Sequence, residues 1–438
     1  MRFNIIQSLT TLASAATALT MLSSPLAAQD SLIARDRVGP ADAPNALTFR
    51  LTAYDLYSAD PATAEGYAEL FTDLINRFPG WRIDTQLQTG DSAQEQARIV
   101  EQTLAGRGPD CAMVDSYQLA TFMKAGVLKP MTAYFTEAEV ADLFPFVREG
   151  VTDENGDIMA WWWFTSLHVL YRNTELVPEA PQTWAELQAA ALTAAQSGVE
   201  GILFNGGRTE GTAFDWLPNF WAQGGELVDA DGKPIFGEGE NRAKFLAALE
   251  YYDDLVESGA APGRVSTIIN YEDLLAGAAS STAAMFIGGD WQYAQIQNTL
   301  PPEEAAKWAV SPLPGPTLDE RATGTGGWTI AALTEDPAKA EICAAIAKLY
   351  AGPGNAFQSL LPTSAAYYDE YDVYSGPEYE TFVASLEDGR ARPGALIYPE
   401  ISNQIQIAMG DILSGAKEPE QAMDDAFAAS LAEYALQN

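Results

Sequence analysis

LTFRLTAYDLYSADPATAEGYAELFTDLINRFPGWRIDTQL, residues 47–87, contains a complete strand–helix–strand unit. Leu47 to Ala53 alternates apolar with other residues, the pattern of a half-buried strand. Between Pro61 and Phe78 the residues Tyr67, Leu70, Phe71, Leu74, Ile75 and Phe78 recur at helical spacing, and Pro79-Gly80 ends the run. Trp81 to Leu87 returns to strand. The alternation continues with a helix over 93–105, a turn at 106–109, a strand over 111–114 and a helix over 118–125. Strands that alternate with crossover helices pair in parallel, so the class is α/β with helices covering a largely parallel sheet.

Working outward, Trp161 to Arg172 is an aromatic, extended run. Successive strand residues face opposite ways, so Trp161, Trp162, Trp163 and Phe164 cannot all enter one core. Thr183 followed by Glu186 is a capping box opening a helix. Residues 201–240, rich in Gly and aromatics, read as loops with short elements. Helices are expected over 240–258 and 271–276, and strands over 283–287 and 309–311, the latter feeding Pro312 to Pro316. Gly324 to Gly327 reads as a glycine loop before a strand over 328–332 and a helix over 338–350. Two helices, 400–414 and 419–436, end the chain.

The first 28 residues stand apart. Arg2, the apolar stretch from Ile5 to Leu22 and the small residues ending at Ala28 read as a secretory signal peptide. The remaining chain exceeds what one core supports, which predicts two domains. Sixty acidic residues oppose 24 basic ones, for a net charge of -36; removing Arg2 with the leader leaves 23 against 60, or -37. Such a surface repels nucleic acid and anionic lipid. The acidic excess runs through the whole chain and forms no tail, which points to a saline habitat, the alternative being an ordinary acidic secreted protein. Cys111 and Cys343 both sit in apolar surroundings and are expected as two buried thiols, although export permits a bridge. The single histidine, His168, leaves little for a histidine-rich zinc site or a histidine-dependent triad, so neither metal nor cofactor is expected.

Six further segments carry a family resemblance. Gly108 to Asp115 (GPDCAMVD), Ala125 to Met131 (AGVLKPM), and Leu170 to Asn173 (LYRN) followed by Pro181 to Trp184 (PQTW) come in that order. Phe286 to Trp291 (FIGGDW), Pro312 to Pro314 with Gly326 to Trp328, and Gly389 to Ala422 follow. Together they resemble the extracellular solute-binding proteins of ABC importers, in the large sugar-binding group that includes maltose-binding protein. One departure is Trp162, where the family commonly has Pro. The resemblance implies a two-lobed periplasmic-binding-protein fold with interleaved lobes joined by a hinge. Lobe one would take 45–163 and 313–358, and lobe two 164–312 and 359–438. It also implies a monomer that is not an enzyme and that hands a sugar-like solute to a membrane permease and its ATPase.

A sugar site needs aromatic faces for the ring and polar groups for the hydroxyls. At strand ends, where open α/β sheets bind ligands, the chain offers Tyr54, Asp55 and Tyr57, then Asp115 and Tyr117. By family position Trp163 and Phe164 lie near the cleft, with Trp216, Asp290 and Trp291 in the second lobe. Gly326, Gly327 and Trp328 offer amides and an aromatic, and Arg392 a rare cation. Carboxylate pairs such as Asp55 with Asp115 suggest a glycosidase only weakly, because acids are abundant everywhere. A di- or oligosaccharide such as a glucoside fits the aromatic supply. A small compatible solute (a glycosylated glycerol or polyol) or a polyamine is the alternative. The charge carries one expectation of its own. Melting temperature rises steeply from low salt to molar NaCl, where the Debye length falls to about 3 Å; a flat profile overturns the saline reading.

Overall fold

The computed structural model describes residues 32–52, 56, 58, 61–88 and 92–437. Six strands come first: β1 (Ile33–Ala34), β2 (Arg37–Val38), β3 (Asn45–Leu51), β4 (Trp81–Leu87), β5 (Cys111–Asp115) and β6 (Trp161–Trp162). Five more follow: β7 (Phe164–Asn173), β8 (Glu200–Leu203), β9 (Ala283–Gly289), β10 (Trp308–Ser311) and β11 (Thr323–Gly326). The last three are β12 (Trp328–Ala332), β13 (Leu361–Pro362) and β14 (Gly389–Ala391). They form two sheets. The first is ordered β1-β2-β4-β3-β5-β12-β6, with β3 parallel to both β4 and β5 and β12 antiparallel to its neighbours. The second is ordered β14-β11-β7-β9-β8, with β10 and β13 also on β7.

The alternation read from 47–87 produces the first lobe. Leu47, Phe49 and Leu51 point one way from β3 and are fully buried. The helix Pro61–Asn76 covers them with Tyr67, Phe71, Leu74 and Ile75, a single stripe at helical spacing. The first core draws on residues between Val38 and Trp163 and between Ile330 and Ala351. The second draws on residues between Leu167 and Ala322 and between Leu361 and Ala426, together with Tyr117. This is a two-lobed α/β fold with interleaved lobes.

The chain crosses between sheets at Trp163, at Gly327 and through 351–360. These crossings are tied to one another. Trp163 N donates to Trp328 O at 3.1 Å, and the Asn355 side-chain amide donates to Trp163 O. Thr363 Oγ1 donates to Trp162 O at 2.6 Å, and Ser116 N donates to Gly327 O at 2.9 Å.

Three sequence readings change here. Gly324 to Gly326 are strand, not loop: β11 pairs with Leu167 and Ser166 of β7, so the chain returns to the first sheet at Gly327 and not at 313. The glycines are needed because a Cβ at 324 would meet the Phe214 ring at 2.6 Å and one at 326 the Arg392 guanidinium at 2.7 Å. The stretch 201–240 contains a full helix, Glu210–Ala222, in which Thr212 to Trp221 are all buried. A helix buried on every side shows no amphipathic period, so its sequence does not announce it. Lastly, Cys111 and Cys343 are not free thiols. Packing of β5 against the helix Pro337–Leu349 brings their Cα atoms to 5.7 Å and they form a disulfide. Replacing both by alanine should lower unfolding free energy by about 2–4 kcal/mol. Reductant should reproduce the shift in denaturant midpoint; a midpoint indifferent to both removes the bridge.

Candidate functional site

β5 ends at Asp115, and the next turn, Ser116–Gln118, carries Tyr117. Arg392, just beyond β14 in the second lobe, donates from Nη2 to Asp115 Oδ1 at 3.1 Å. Its Nη1 donates to Glu210 Oε1 at 3.1 Å, at the start of the helix Glu210–Ala222. One guanidinium thus joins a carboxylate of each lobe. It also lies over the rings of Tyr117 (4.6 Å) and Phe214 (4.4 Å), favourable faces for a cation. Glu210 further accepts from Tyr398 Oη at 2.7 Å and from Ser402 Oγ. The Arg392 side chain is 5% exposed. Burial opposes its charge, yet the Asp115 and Glu210 carboxylates hold it protonated above the ordinary arginine range. Burial pushes Asp115 up to about 6, although Arg392 pulls the other way.

Behind this group lies a second polar cluster. His168 of β7 places Nε2 3.0 Å from Tyr271 Oη and 3.1 Å from Asp215 Oδ1. Tyr271 Oη donates to Asp215 Oδ1 at 3.0 Å, and Asn205 Nδ2 donates to Asp215 Oδ2 at 2.9 Å. Burial lowers His168 to about 3 and raises Asp215 to about 7. The imidazole is therefore neutral, and among the described residues its Nδ1 has no hydrogen-bond partner. Tyr271 meets Trp291 edge-on at 5.0 Å, and His168 meets it at 6.1 Å.

Trp291 is half-buried and opens the helix Trp291–Thr299. Its ring folds back over Gly289, where a Cβ would stand 1.9 Å from it. Asp290 is 4% exposed: Oδ1 accepts from Leu167 N at 2.9 Å, and its own N donates to Leu167 O at 3.1 Å. Burial raises this carboxyl to about 7. It anchors the Trp291 turn to β7.

Asp115, Tyr117, Arg392 and Trp291 therefore belong to one constellation, continuous through Phe214, His168 and Tyr271. Trp328 pairs with Asp115 across β12 and β5 and is half-buried, as is Phe164. Trp163 is fully buried in the first core against Tyr350 and Phe164. Trp216 is likewise a core residue and not a cleft platform, packed 4.5 Å from Phe245. Gly326 is committed to β11, its carbonyl accepting from Thr165 Oγ1 and Ser166 Oγ. At Gly327 a Cβ would clash with Phe164 O at 2.1 Å. These glycines allow close packing at the crossing. Tyr54, Asp55 and Tyr57 lie outside the described residues. Sequence reading missed Glu210, Phe214, Asp215 and Tyr271, which sit in or beside the helix taken for loop. Among the described residues no group of His, Cys, Asp and Glu could hold a metal ion.

Residues 60–356 match the family described as bacterial extracellular solute-binding protein. The chain belongs to that family. A probable ABC transporter-binding protein of Deinococcus radiodurans is 26% identical over 368 residues, 77% of this chain and 83% of its own. The maltose-bound MalE3 of T. maritima superposes with a TM-score of 0.75 at 24% identity, over 88% of this chain and 99% of that one. A solute-binding protein of Thermotoga lettingae bound to α-D-tagatose gives 0.72 at 23% identity, over 88% and 99%. This solute-binding protein shares their fold.

Asp215 gives the site a pH signature. Its carboxyl is raised by burial, so the ionised form is penalised by folding above about pH 7, and the penalty is relieved as the pH falls below that value. Stability contributed by this group should rise on acidification from pH 7 to 5 by up to about 1.4 kcal/mol per pH unit. In Asp215→Asn, unfolding measured across that window should show a correspondingly shallower slope. An unchanged slope assigns the pH dependence elsewhere.

Proposed function

We propose that this protein is exported by its leader, cut near Ala28, and works in the periplasm as a monomer. There it captures a sugar-like solute between its lobes and delivers it to the permease and ATPase of an ABC importer. The favoured ligand is a di- or oligosaccharide such as a glucoside. The observation that carries this reading is the half-buried Trp291, backed by Tyr271 and neutral His168 in the same constellation as Asp115, Arg392 and Glu210. An aromatic face takes the apolar side of a sugar ring, and fixed carboxylate and guanidinium groups orient hydroxyls. Tyr54, Asp55 and Tyr57, which follow β3, would complete the site from lobe one, with Trp328 and Phe164 at its side. Trp163, Gly327 and 351–360 would form the hinge, with closure bringing Asp115 to Arg392.

The relatives lend support: one solved neighbour carries maltose and another tagatose. A compatible solute remains the second reading, favoured by the acidic chain. A polyamine has less support, because the Arg392 guanidinium between Asp115 and Glu210 repels a second cation while leaving neutral hydroxyls unaffected. A thermal-shift screen of glucosides, polyols and polyamines in high salt tests the assignment. Stabilisation by a glucoside with a change in tryptophan fluorescence supports it; response to a linear polyamine and to no carbohydrate refutes it. Trp291→Ala should cost about 2 kcal/mol, roughly 30-fold in affinity. A loss of only a few tenths with the fold intact removes the stacking role.

A further inference from the structure

A ring offered to a ligand needs a fixed plane, and Trp291 does not receive one from its own helix. It is the first residue of Trp291–Thr299, so no preceding helical turn restricts its side chain. What holds the indole are the groups packed on it. Gly289 lies beneath it. Tyr271 meets it edge-on, with ring centres 5.0 Å apart and planes at 87°, a favoured aromatic geometry. His168 stands further off, at 6.1 Å and 73°.

Tyr271 is itself held at both ends. Its backbone opens the helix Tyr271–Ala279, capped by Asn270, whose side chain accepts from Asp273 N at 2.8 Å. The buried side chain of Gln292 donates from Nε2 to Tyr271 O at 2.9 Å and accepts at Oε1 from Gly289 N at 3.1 Å. The residue after Trp291 thus ties Tyr271 to the glycine under the indole. At the far end of the ring, Tyr271 Oη donates to Asp215 Oδ1 at 3.0 Å. Among the described residues His168 Nδ1 has no hydrogen-bond partner, whereas Nε2 faces Tyr271 Oη at 3.0 Å and Asp215 Oδ1 at 3.1 Å. The ring proton therefore belongs on Nε2, and Tyr271 Oη accepts on one side while it donates on the other. Asn205 fixes Asp215 from behind, donating to Oδ2 at 2.9 Å. His168 and Asp215 are fully buried, whereas Tyr271 and Trp291 are half-buried.

We propose that Tyr271 is a positioning residue for the carbohydrate platform: its pinned ring sets the plane of Trp291 and so strengthens the grip on a sugar ring. Asp215 and His168 act through the Tyr271 hydroxyl. This rests on the reading of Trp291 as a stacking face and adds to it the groups that orient that face.

The test is ¹⁹F NMR of the mature protein labelled with fluorotryptophan, the Trp291 line being assigned by its disappearance in Trp291→Phe. Tyr271→Phe keeps the ring and removes only the hydroxyl; the Trp291 line should shift or split. Asp215→Ala should reproduce that change. Asp215→Asn keeps an oxygen to accept from Tyr271, and Asn205 Oδ1, without a partner now, can turn to meet the new amide, so the line should stay near its original position. Tyr252→Phe is the control for general loosening, because Tyr252 Oη donates to the backbone O of Asp215 at 3.1 Å and not to its carboxylate; it should leave the line in place. An unmoved line in Tyr271→Phe overturns the proposal, and so does an equal change in Tyr252→Phe. Titration with maltose supplies the binding arm: Tyr271→Phe should weaken it at least about threefold, and equal affinity overturns the role in binding. A parent protein that takes no carbohydrate refutes the sugar reading, while the Trp291 line still decides whether Tyr271 holds the indole.

Discussion

A guanidinium buried between two carboxylates from different lobes sets the terms for the rest of this molecule. Arg392 has left water, and its position is tolerable only because Asp115, Glu210 and the rings of Tyr117 and Phe214 meet it at once. A buried charge without its partners is strongly destabilising, by about 3–5 kcal/mol. The arrangement is therefore as much a demand on geometry as a source of attraction. It requires Gly326 to have no side chain, Glu210 to head a helix, and β14 to lie beside β11 so that the following residue reaches the first lobe. In a chain with such an acidic excess the same pairing also keeps two carboxylates from facing each other unscreened.

β7 is the second organising element. Ten residues long and buried over most of its length, it pairs with β9, β10, β11 and β13 and carries His168 into the polar cluster. Leu167 on the same strand holds the Asp290 carboxylate that fixes the start of the Trp291 helix. The strand that leaves the first lobe therefore also sets the aromatic platform of the second. Motion at the crossing would be felt at both.

The sequence was most legible where burial is one-sided. The stripe Tyr67, Phe71, Leu74, Ile75 and the alternation Leu47, Phe49, Leu51 declare their elements because one face is wet. The segment order carried the two-lobed fold, and Asp115 and Tyr117, singled out at a strand end, Trp291, after a glycine pair, and Arg392, as a rare cation, come together in one constellation. Legibility failed where both faces are dry. Glu210–Ala222 has no period to read, so Glu210, Phe214 and Asp215 went unnoticed, and Trp216, attractive as an aromatic after glycines, is core. The glycines at 324–327 misled for a related reason. Their small size answers a neighbour that arrives from far along the chain, and no local pattern records that Arg392 or Phe214 will be there.

The disulfide has a topological consequence. Cys111 and Cys343 both belong to the first lobe, yet 232 positions of chain separate them, among them everything from β6 to β12. In a polypeptide threaded outward from its amino end, Cys111 appears early and waits. Its partner emerges only after β7 to β11 have passed, and β12, the strand that must lie between β5 and β6, emerges just before it. The amino-terminal lobe is thus sealed only after most of the second lobe has emerged, and before the second lobe's own closing segment, Leu361 to Ala426, is made. For that interval β5 presents an unmated edge and an unbonded thiol, so oxidation of this lobe has to wait for a segment that follows most of the other lobe.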